Sequence, residues 1–351
     1  MRRKLLLLPL IYVFILIFAS CKQKYTTISG IIWNTSYHIV YGGSQNLEDS
    51  IQHELNRVNA GLSMFEPSSA VSLVNAGVSD SVGADFIYVF NESRRIAEAS
   101  GGRFDPTVGP LIDLWGFGRR KTETATTPDS AAIAEALKAV GIDGCRIDGC
   151  RVIKKSPSTT FDFSAIAKGY GVDLVAEMLE RNGVSDYMVE IGGEVRASGH
   201  PATAGAWRIQ IDAPVESADS VIHERLDIIS LTGGAVATSG NYRNYRDTSA
   251  GRIGHTIDPL TGRPARRPTL SATVTAPRCL TADALATACM AMEPEAALAM
   301  IERLDSCEAL LVVARGDTTT TLTSSRFGGM QNAQCTINSL KIVNYKLCIV
   351  N

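Results

Sequence analysis

Two short segments contain residue types that bind magnesium and phosphate. In Thr281–Ala288 (TADALATA), Asp283 and Thr287 are four residues apart, so a helix would place them on one face. A carboxylate, a hydroxyl and a backbone carbonyl form an incomplete all-oxygen shell, which suits Mg²⁺ because this ion keeps waters and takes substrate phosphates as ligands. The alternative is a helix start, with Thr281 as N-cap and Asp283 stabilised in the first turn.

The second segment is Asp162–Asp173 (DFSAIAKGYGVD), where a short strand, Phe161–Phe163, is predicted to lead into a helix from about Ser164 to Arg181. The first turn of a helix presents unpaired N–H groups and a positive dipole, and Lys168 would add a positive charge, so the segment favours a phosphate site. The alternative is a capped helix with a solvated lysine. No GxxxxGK[ST] motif is present, so the segment is not a P-loop.

Three further segments are rich in residues that shape the backbone. Gly101–Gly118 holds Trp115 and Phe117, which could form a floor for a planar ring or could fill a core. Glu190–Val195 (EIGGEV) is a strand interrupted by two glycines, which predicts a bulge that admits a ligand or is only structural. His255 lies between glycines and a proline, as a structural hydrogen bonder or as a general base.

These segments need a scaffold of helices and strands. Apolar residues recur at helical spacing from Leu47 to Leu62, and the pattern predicts further helices. Those helices are Ala84–Ser100, Thr127–Val140, Ala282–Met292 and Pro294–Leu304. Strands are predicted at Thr26–Tyr41 with a kink at Asn34–Ser36, Tyr187–Ser198, Trp207–Ala213, Glu224–Leu231, Leu270–Ala276 and Ala309–Ala314. Helices and strands occur in blocks, which predicts an α+β fold with mixed, largely antiparallel sheets and packed helices.

The N-terminus has the pattern of an export signal. Basic residues Arg2–Lys4 precede the apolar run Leu5–Phe18, which has a signal-sequence length and is too short to span a bilayer. Small residues before Cys21 suit lipoprotein processing, with Cys21 acylated; the alternative is an ordinary secretory signal with an incidental cysteine. The net charge of −2 gives no indication of nucleic-acid binding. Cys145 and Cys150 could form a local disulfide, whereas Cys279, Cys289 and Cys307 are expected as buried thiols.

Six motifs, in order and spacing, resemble the FAD:protein FMN transferase family, the ApbE-type flavin transferases. The motifs are FDPTVGPLIDLWGFG, DFSAIAKGYGVD, EIGGEVRASG, TSGNYRNY, HTIDPLTGRP and TADALATA. The resemblance covers residues 30–328 and divides the chain into a lipoprotein signal (1–20), a linker (21–29), a flavin transferase domain (30–328) and a tail (329–351). It implies a fold related to the T-fold, with FAD as substrate and Mg²⁺ as cofactor.

The resemblance also implies roles for individual residues. Magnesium would be held by the Ala165 carbonyl, Asp283 and Thr287, and Lys168 would add charge near the phosphates. Flavin contacts would come from Arg103, Phe104, Asp105, Asp162, Lys168, His255, Thr256 and Ile257. The family usually has Met-Gly-Thr near the first strand, where this chain has Trp33-Asn34-Thr35, so Trp33 would stack there instead. The acceptor hydroxyl needs a base, and Asp283 and His255 are both candidates.

The expected reaction transfers FMN from FAD to a Thr or Ser hydroxyl of another protein and releases AMP. The acceptor would be a membrane redox-complex subunit, and the enzyme would be exported and lipid-anchored, facing the periplasm. Two alternatives use the same site: an FAD pyrophosphatase with water as acceptor, and a non-catalytic FAD-binding lipoprotein. Intact Asp283, Thr287 and Lys168 argue against the second, because storage does not require a metal site.

Overall fold

The computed structural model of the protein describes residues 24–118, 127–214, 225–240, 245–248, 251–316, 318–328 and 333–335. All pairs of named strands in these ranges are antiparallel and helices pack beside them, which confirms the α+β class. The predicted signal sequence, Cys21 and most of the tail lie outside the described residues. No helix within the described ranges combines the length and the apolar character that a bilayer span requires.

The strands build one large sheet and several small ones. In chain order they are β1 (Tyr25–Ile32), β2 (Thr35–Gly42), β3 (Arg146–Asp148), β4 (Arg151–Ile153), β5 (Tyr187–Ile191), β6 (Glu194–Ser198), β7 (Trp207–Asp212), β8 (Arg225–Leu231), β9 (Ala235–Gly240), β10 (Tyr245–Thr248), β11 (Gly251–Gly254), β12 (Ile257–Asp258), β13 (Arg263–Pro264), β14 (Thr269–Ala276), β15 (Glu308–Arg315), β16 (Thr318–Thr323) and β17 (Ala333–Cys335). The large sheet has eight strands in the order β1-β2-β5-β6-β9-β14-β15-β16. Because β1 begins at Tyr25, residues 25–29 belong to this sheet and not to a linker.

The described residues contain eight helices. They are α1 (Glu48–Leu62), α2 (Ala70–Asn75), α3 (Ala84–Ala99), α4 (Gly109–Leu114), α5 (Ser130–Leu137), α6 (Ala167–Arg181), α7 (Cys279–Met290) and α8 (Pro294–Glu302). Six of the eight helices in the described residues correspond to predicted ones with shifted ends, and the two short helices α2 and α4 were not predicted. The predicted apolar stripe of α1 is buried from Ile51 to Leu62. Helix α5 begins later than predicted because the Asp129 carboxylate accepts a hydrogen bond from the Ala132 N–H at 2.7 Å and fixes the start.

Two predicted strands are hairpins. Trp33 and Asn34 have φ of 50° and 58°, so the predicted kink is a two-residue turn that pairs β1 with β2. Positive φ at both central residues is the requirement of the type I′ turn. Gly192 and Gly193, with φ of 64° and 102°, likewise reverse the chain between β5 and β6, so the double glycine is a hairpin turn and not a bulge.

Helix α7 lies at the centre of the molecule. It packs against β9, β14 and α6, and all its residues except Thr287 are buried. A helix that is apolar on every side must be covered on every side, and its alanine-rich sequence lets the neighbours approach closely. Thr287 is the one residue of this helix that is not buried.

The cysteine predictions have mixed outcomes. Cys145 is buried, Cys150 is exposed, and both are free thiols, so the predicted local disulfide is absent. Cys279, Cys289 and Cys307 are buried, as expected. Burial raises the pKa of Cys289 to about 12 and is the main cause that raises the pKa of Cys307 to about 11, so both remain thiols at neutral pH.

Candidate active site

The first turns of helices α6 and α7 meet at a backbone contact. A Cβ placed on Gly169 would lie 2.5 Å from the Cys279 carbonyl oxygen, so the contact requires glycine. The predicted strand Phe161–Phe163 is irregular chain, and α6 begins at Ala167 and not at Ser164. This later start places Lys168 in the first turn, at the positive end of the helix dipole.

Two buried carboxylates link these helices reciprocally. Asp173 of α6 accepts hydrogen bonds from the Cys279 and Leu280 N–H groups of α7, both at 3.0 Å. Asp283 of α7 accepts one from the Gly169 N–H of α6, also at 3.0 Å. The prediction of Thr281 as N-cap is therefore wrong: α7 begins at Cys279, and the carboxylate that satisfies its first turn comes from the neighbouring helix.

Glu194 adds a third buried carboxylate to this junction, beside Asp173 and Asp283. It opens β6, is 3% exposed, and forms an ion pair with Lys168 through Oε1. Its Oε2 is buried and has no hydrogen-bond partner among the described residues. Burial raises the pKa of Glu194 to about 7; the charge of Asp283 acts in the same direction, and that of Lys168 opposes it.

The sequence analysis did not assign Glu194 a role. In β6, Glu194 and Arg196 are two residues apart and share the sheet face towards α6, where Arg196 pairs with Asp173 at 2.9 Å. Val195 and Ala197 face the opposite side and pack near Trp207. The sequence signal for a buried carboxylate such as Glu194 is an acidic residue at a position of an alternating strand that faces a helix.

The three residues predicted to bind metal lie at this junction. Asp283 and Thr287 share a face of α7, and Ala165, half-buried, lies in the turn before α6. Thr287 Oγ1 is 3.2 Å from Ser239 Oγ at the end of β9. Burial raises the pKa of Asp283, while Lys168 and the Gly169 N–H lower it. Such a carboxylate gains most when a cation compensates its lost hydration.

The donor set fits a hard cation that keeps part of its shell for other ligands. It contains only oxygen donors, and the buried Oε2 of Glu194 is a further oxygen at the junction without a hydrogen-bond partner among the described residues. Within the described ranges no group of three or more His, Cys, Asp or Glu could enclose a metal. A metal bound here would therefore take further ligands from water and phosphate, as Mg²⁺ does.

Except for Lys168 and Trp33, the residues predicted to contact flavin form a second group, which we call the loop sector: residues 103–107, 162–164 and 255–258. Arg103 forms an ion pair with Asp258, which joins two of its segments. The Asp162 N–H donates to the Pro106 carbonyl at 2.6 Å and joins the third. Sequence positions far apart thus converge, whereas their contact with flavin stays a prediction.

Within the loop sector several side chains already have partners. Phe104 is 4% exposed and packs in the main core. Asp105 accepts hydrogen bonds from the Thr107 N–H, the Thr107 hydroxyl and the Ile142 N–H at 2.6–2.9 Å. Asp162 accepts one from the Ser164 N–H at 2.8 Å, and burial raises its pKa. These contacts fix the loop backbone.

His255 and Thr256 are half-buried, and Ile257 is 7% exposed in an apolar cluster. The Thr256 carbonyl accepts a hydrogen bond from the Ala265 N–H at 2.8 Å. Trp115 belongs to the same cluster, and its indole donates to the Gly262 carbonyl at 2.7 Å. Trp115 therefore holds the loop after His255 in place. Because its side chain is buried, it fills a core, which is the second of the two interpretations of this segment, and does not form a floor for a planar ring.

Trp33 lies beside the helix junction. Its indole Nε1 donates to the Asn59 side chain at 2.6 Å, and the edge of its ring would lie 2.4 Å from a Cβ placed on Gly171 of α6. The sequence analysis gave no role to Phe65, whose aromatic side chain is 70% exposed. Phe65 follows Met64, whose sulfur accepts a hydrogen bond from the Ser164 hydroxyl at 3.6 Å. A large exposed aromatic residue between two turns gives little periodic signal in a sequence.

Comparison with known proteins was made on sequence and on structure. The model of the ApbE family matches residues 33–311. An FAD:protein FMN transferase of Haemophilus influenzae is 34% identical over 327 residues, covering 88% of this chain and 93% of that protein. One of Vibrio cholerae is 36% identical over 328 residues, covering 89% of this chain and 95% of that protein.

Solved structures agree with the sequence relatives. The flavin transferase ApbE from Vibrio cholerae aligns with a TM-score of 0.78 at 34% identity, covering 88% of this chain and 99% of that one. The apo form of the Pseudomonas stutzeri flavinyl transferase ApbE aligns with a TM-score of 0.78 at 31% identity, covering 88% and 96%. Both the sequence and the arrangement of its helices and sheets therefore place this chain in the ApbE family.

Proposed function

We propose that this protein is a Mg²⁺-dependent enzyme that transfers FMN from FAD to a Thr or Ser hydroxyl of a target protein. The observation that carries the proposal is the junction of α6 and α7, where Lys168 and two buried carboxylates surround the first turn of a helix. Such a site binds a diphosphate together with a divalent cation, and a diphosphate joins the FMN and AMP halves of FAD. The family membership supplies the flavin and the protein acceptor.

The proposed reaction is a phosphoryl-type transfer. The acceptor hydroxyl oxygen forms a bond to the phosphorus of the FMN half, the bond from that phosphorus to the bridging oxygen breaks, and AMP leaves with that oxygen. Ala165, Asp283 and Thr287 would hold Mg²⁺, which would neutralise charge on the diphosphate and on the leaving group. The positive end of the α6 dipole would favour the diphosphate, and Lys168 would add positive charge beside it.

The proton of the acceptor hydroxyl has to leave as the new bond forms. Asp283 is 3% exposed, accepts the Gly169 N–H and would bind the metal, so its carboxylate is already engaged. His255 is half-buried in the loop sector, has no assigned metal role, and carries an imidazole, the side chain that most often serves as a general base. We therefore assign the general base to His255 and the metal to Asp283.

The proposal extends to the location of the enzyme. The basic and apolar N-terminal residues followed by Cys21 support export and attachment to a membrane through acyl chains on Cys21, with the body facing the periplasm. A membrane redox-complex subunit fits as acceptor because it presents its hydroxyl at the same surface. Metabolic labelling with a radioactive fatty acid tests this part: label in the wild type and none in Cys21→Ala is expected, and an unlabelled wild type would disprove the anchor.

The transfer is tested by mass spectrometry of a candidate acceptor domain after incubation with this protein, FAD and Mg²⁺. We expect a mass gain of one FMN on a single Thr or Ser, which disappears with EDTA and with Asp283→Ala. Free FMN and AMP without an adduct would contradict the transferase and show that the protein is an FAD pyrophosphatase. FAD recovered intact in every sample would favour the non-catalytic binding protein.

A further inference from the structure

The contacts of Glu194 and Lys168 suggest a task that the transfer reaction alone does not explain. The turn at Gly192 and Gly193 directs Glu194 back towards the start of α6. Its Oε1 pairs with the Lys168 ammonium, and its Oε2 is buried without a partner among the described residues. A buried carboxylate whose charge is not fully compensated lowers the stability of the folded state, so a residue of this kind calls for a functional reason.

Lys168 lies within the electrostatic reach of two carboxylates. Burial alone would lower the pKa of Lys168, but the charge of Glu194 and, next, that of Asp283 outweigh it and raise the pKa above its ordinary value. The side chain is therefore an ammonium ion. It forms its ion pair with Glu194, while the hydrogen bond that Asp283 accepts within the described residues comes from the Gly169 N–H.

This arrangement decides which carboxylate stays accessible to a metal. A lysine ammonium and a divalent cation compete for the same carboxylate oxygens, because both gain by compensating a buried negative charge. With Glu194 present, Lys168 has a carboxylate of its own. Without it, the remaining carboxylate whose charge acts on Lys168 is Asp283, and an ammonium paired there would occupy the place of the cation.

We propose that Glu194 is a positioning residue that holds Lys168 off Asp283 and so keeps the Asp283 carboxylate available to a divalent cation. The inference rests on the proposed role of Asp283 in metal binding. It differs from a role of Glu194 as a metal ligand, and it differs from a purely structural role, because in both of those cases the identity of residue 168 would not matter for the effect of losing Glu194.

A double-variant measurement of Mn²⁺ affinity separates these roles, with Mn²⁺ alone as the probe and electron paramagnetic resonance of free Mn²⁺ as the readout. Glu194→Gln keeps the side-chain shape and should weaken Mn²⁺ binding by about ten- to a hundredfold, the usual range for residues that support metal ligands. In Lys168→Met/Glu194→Gln the competing ammonium is gone and the net charge of the junction equals that of the wild type. Its affinity should return to within about threefold of the wild type, since supporting residues act only through what they orient.

Each other outcome overturns the inference. If the double variant binds Mn²⁺ as weakly as Glu194→Gln, the carboxylate acts as a ligand or holds the fold, and if Glu194→Gln binds like the wild type, it has no role in metal binding. Lys168→Met alone gives a further measurement: it should bind Mn²⁺ more tightly than the wild type, and weaker binding contradicts the competition. Unchanged thermal unfolding of the variants controls for folding.

The proposed function fails in a distinguishable way. If the wild type does not bind Mn²⁺, or binds it equally well after Asp283→Ala, the metal site itself is wrong and the inference falls with it. If the wild type binds, Asp283→Ala does not, and only the Glu194 variants depart from expectation, the metal site stands and the positioning role alone is disproved.

Discussion

The helix junction and the loop sector treat buried charge in different ways. In the loop sector the buried carboxylates have donors within hydrogen-bonding distance: Asp105 accepts three hydrogen bonds, Asp162 accepts the Ser164 N–H, and Asp258 lies between Arg103 and Arg267. At the junction, Lys168 is the one ammonium near two buried carboxylates and pairs with Glu194, whose second carboxylate oxygen has no partner in the described part of the chain. Matched charge fixes backbone shape, whereas unmatched buried charge creates affinity for an added ion.

The strongest test of this contrast is Asp283→Ala. Removing the carboxylate should lower the rate of FMN transfer by about a thousandfold or more, the scale of a group that organises charge in phosphoryl transfer. The measurement is the rate of adduct formation by mass spectrometry. Asp283→Asn is the control, because its amide oxygen can still accept the Gly169 N–H; if Asp283→Asn transfers at the wild-type rate, the carboxylate serves only to link the helices.

Asp173→Ala should act on folding where Asp283→Ala acts on chemistry. Asp173 is fully buried, accepts two N–H groups of α7 and pairs with Arg196, so its loss leaves donors and a cation uncompensated. We expect the free energy of unfolding, measured by urea denaturation, to fall by about 3–5 kcal/mol. Glu177→Ala, in the same helix but partly exposed, should cost less than about 1 kcal/mol; equal losses would contradict the distinction.

Gly169→Ala tests the backbone contact of the two helices. A Cβ there would meet the Cys279 carbonyl at 2.5 Å, and crowding a packed helix contact should lower the free energy of unfolding by about 1–3 kcal/mol. The matched control is Gly171→Ala in the same helix, where the obstructing group is the rim of the Trp33 ring and can move. If thermal unfolding shows Gly169→Ala to be as stable as the wild type, the helices can separate without cost and the junction is not fixed by this contact.

Arg103→Ala should give the smallest effect and the opposite kinetic pattern. Losing the ion pair to Asp258 loosens the loop sector, while Arg267 still faces that carboxylate at 3.4 Å. We expect the KM for FAD to rise by about threefold to tenfold with kcat nearly unchanged, because the change weakens substrate binding and not the transition state. Steady-state transfer kinetics test this prediction. A fall in kcat at constant KM would show that Arg103 acts in the chemical step and not in substrate binding.

The sequence predicted the elements better than their junctions. The apolar spacing of α1 and the block order of strands and helices were enough for the α+β class, because periodicity is a local property of the chain. The start of α7 was wrong because its first turn is satisfied by Asp173, more than a hundred positions earlier. No local pattern identifies a cap that comes from another helix.

The candidate site divides in the same way. The chain by itself determined the residue types suited to phosphate and metal, since Lys168, Asp283 and Thr287 stand in segments whose spacing and composition indicate that chemistry. Only the tertiary structure decided that Glu194 joins them and that Lys168 pairs with Glu194. The physical reason is that the balance of buried charge depends on distances between groups far apart in sequence, and those distances exist only once the sheet and the two helices have packed.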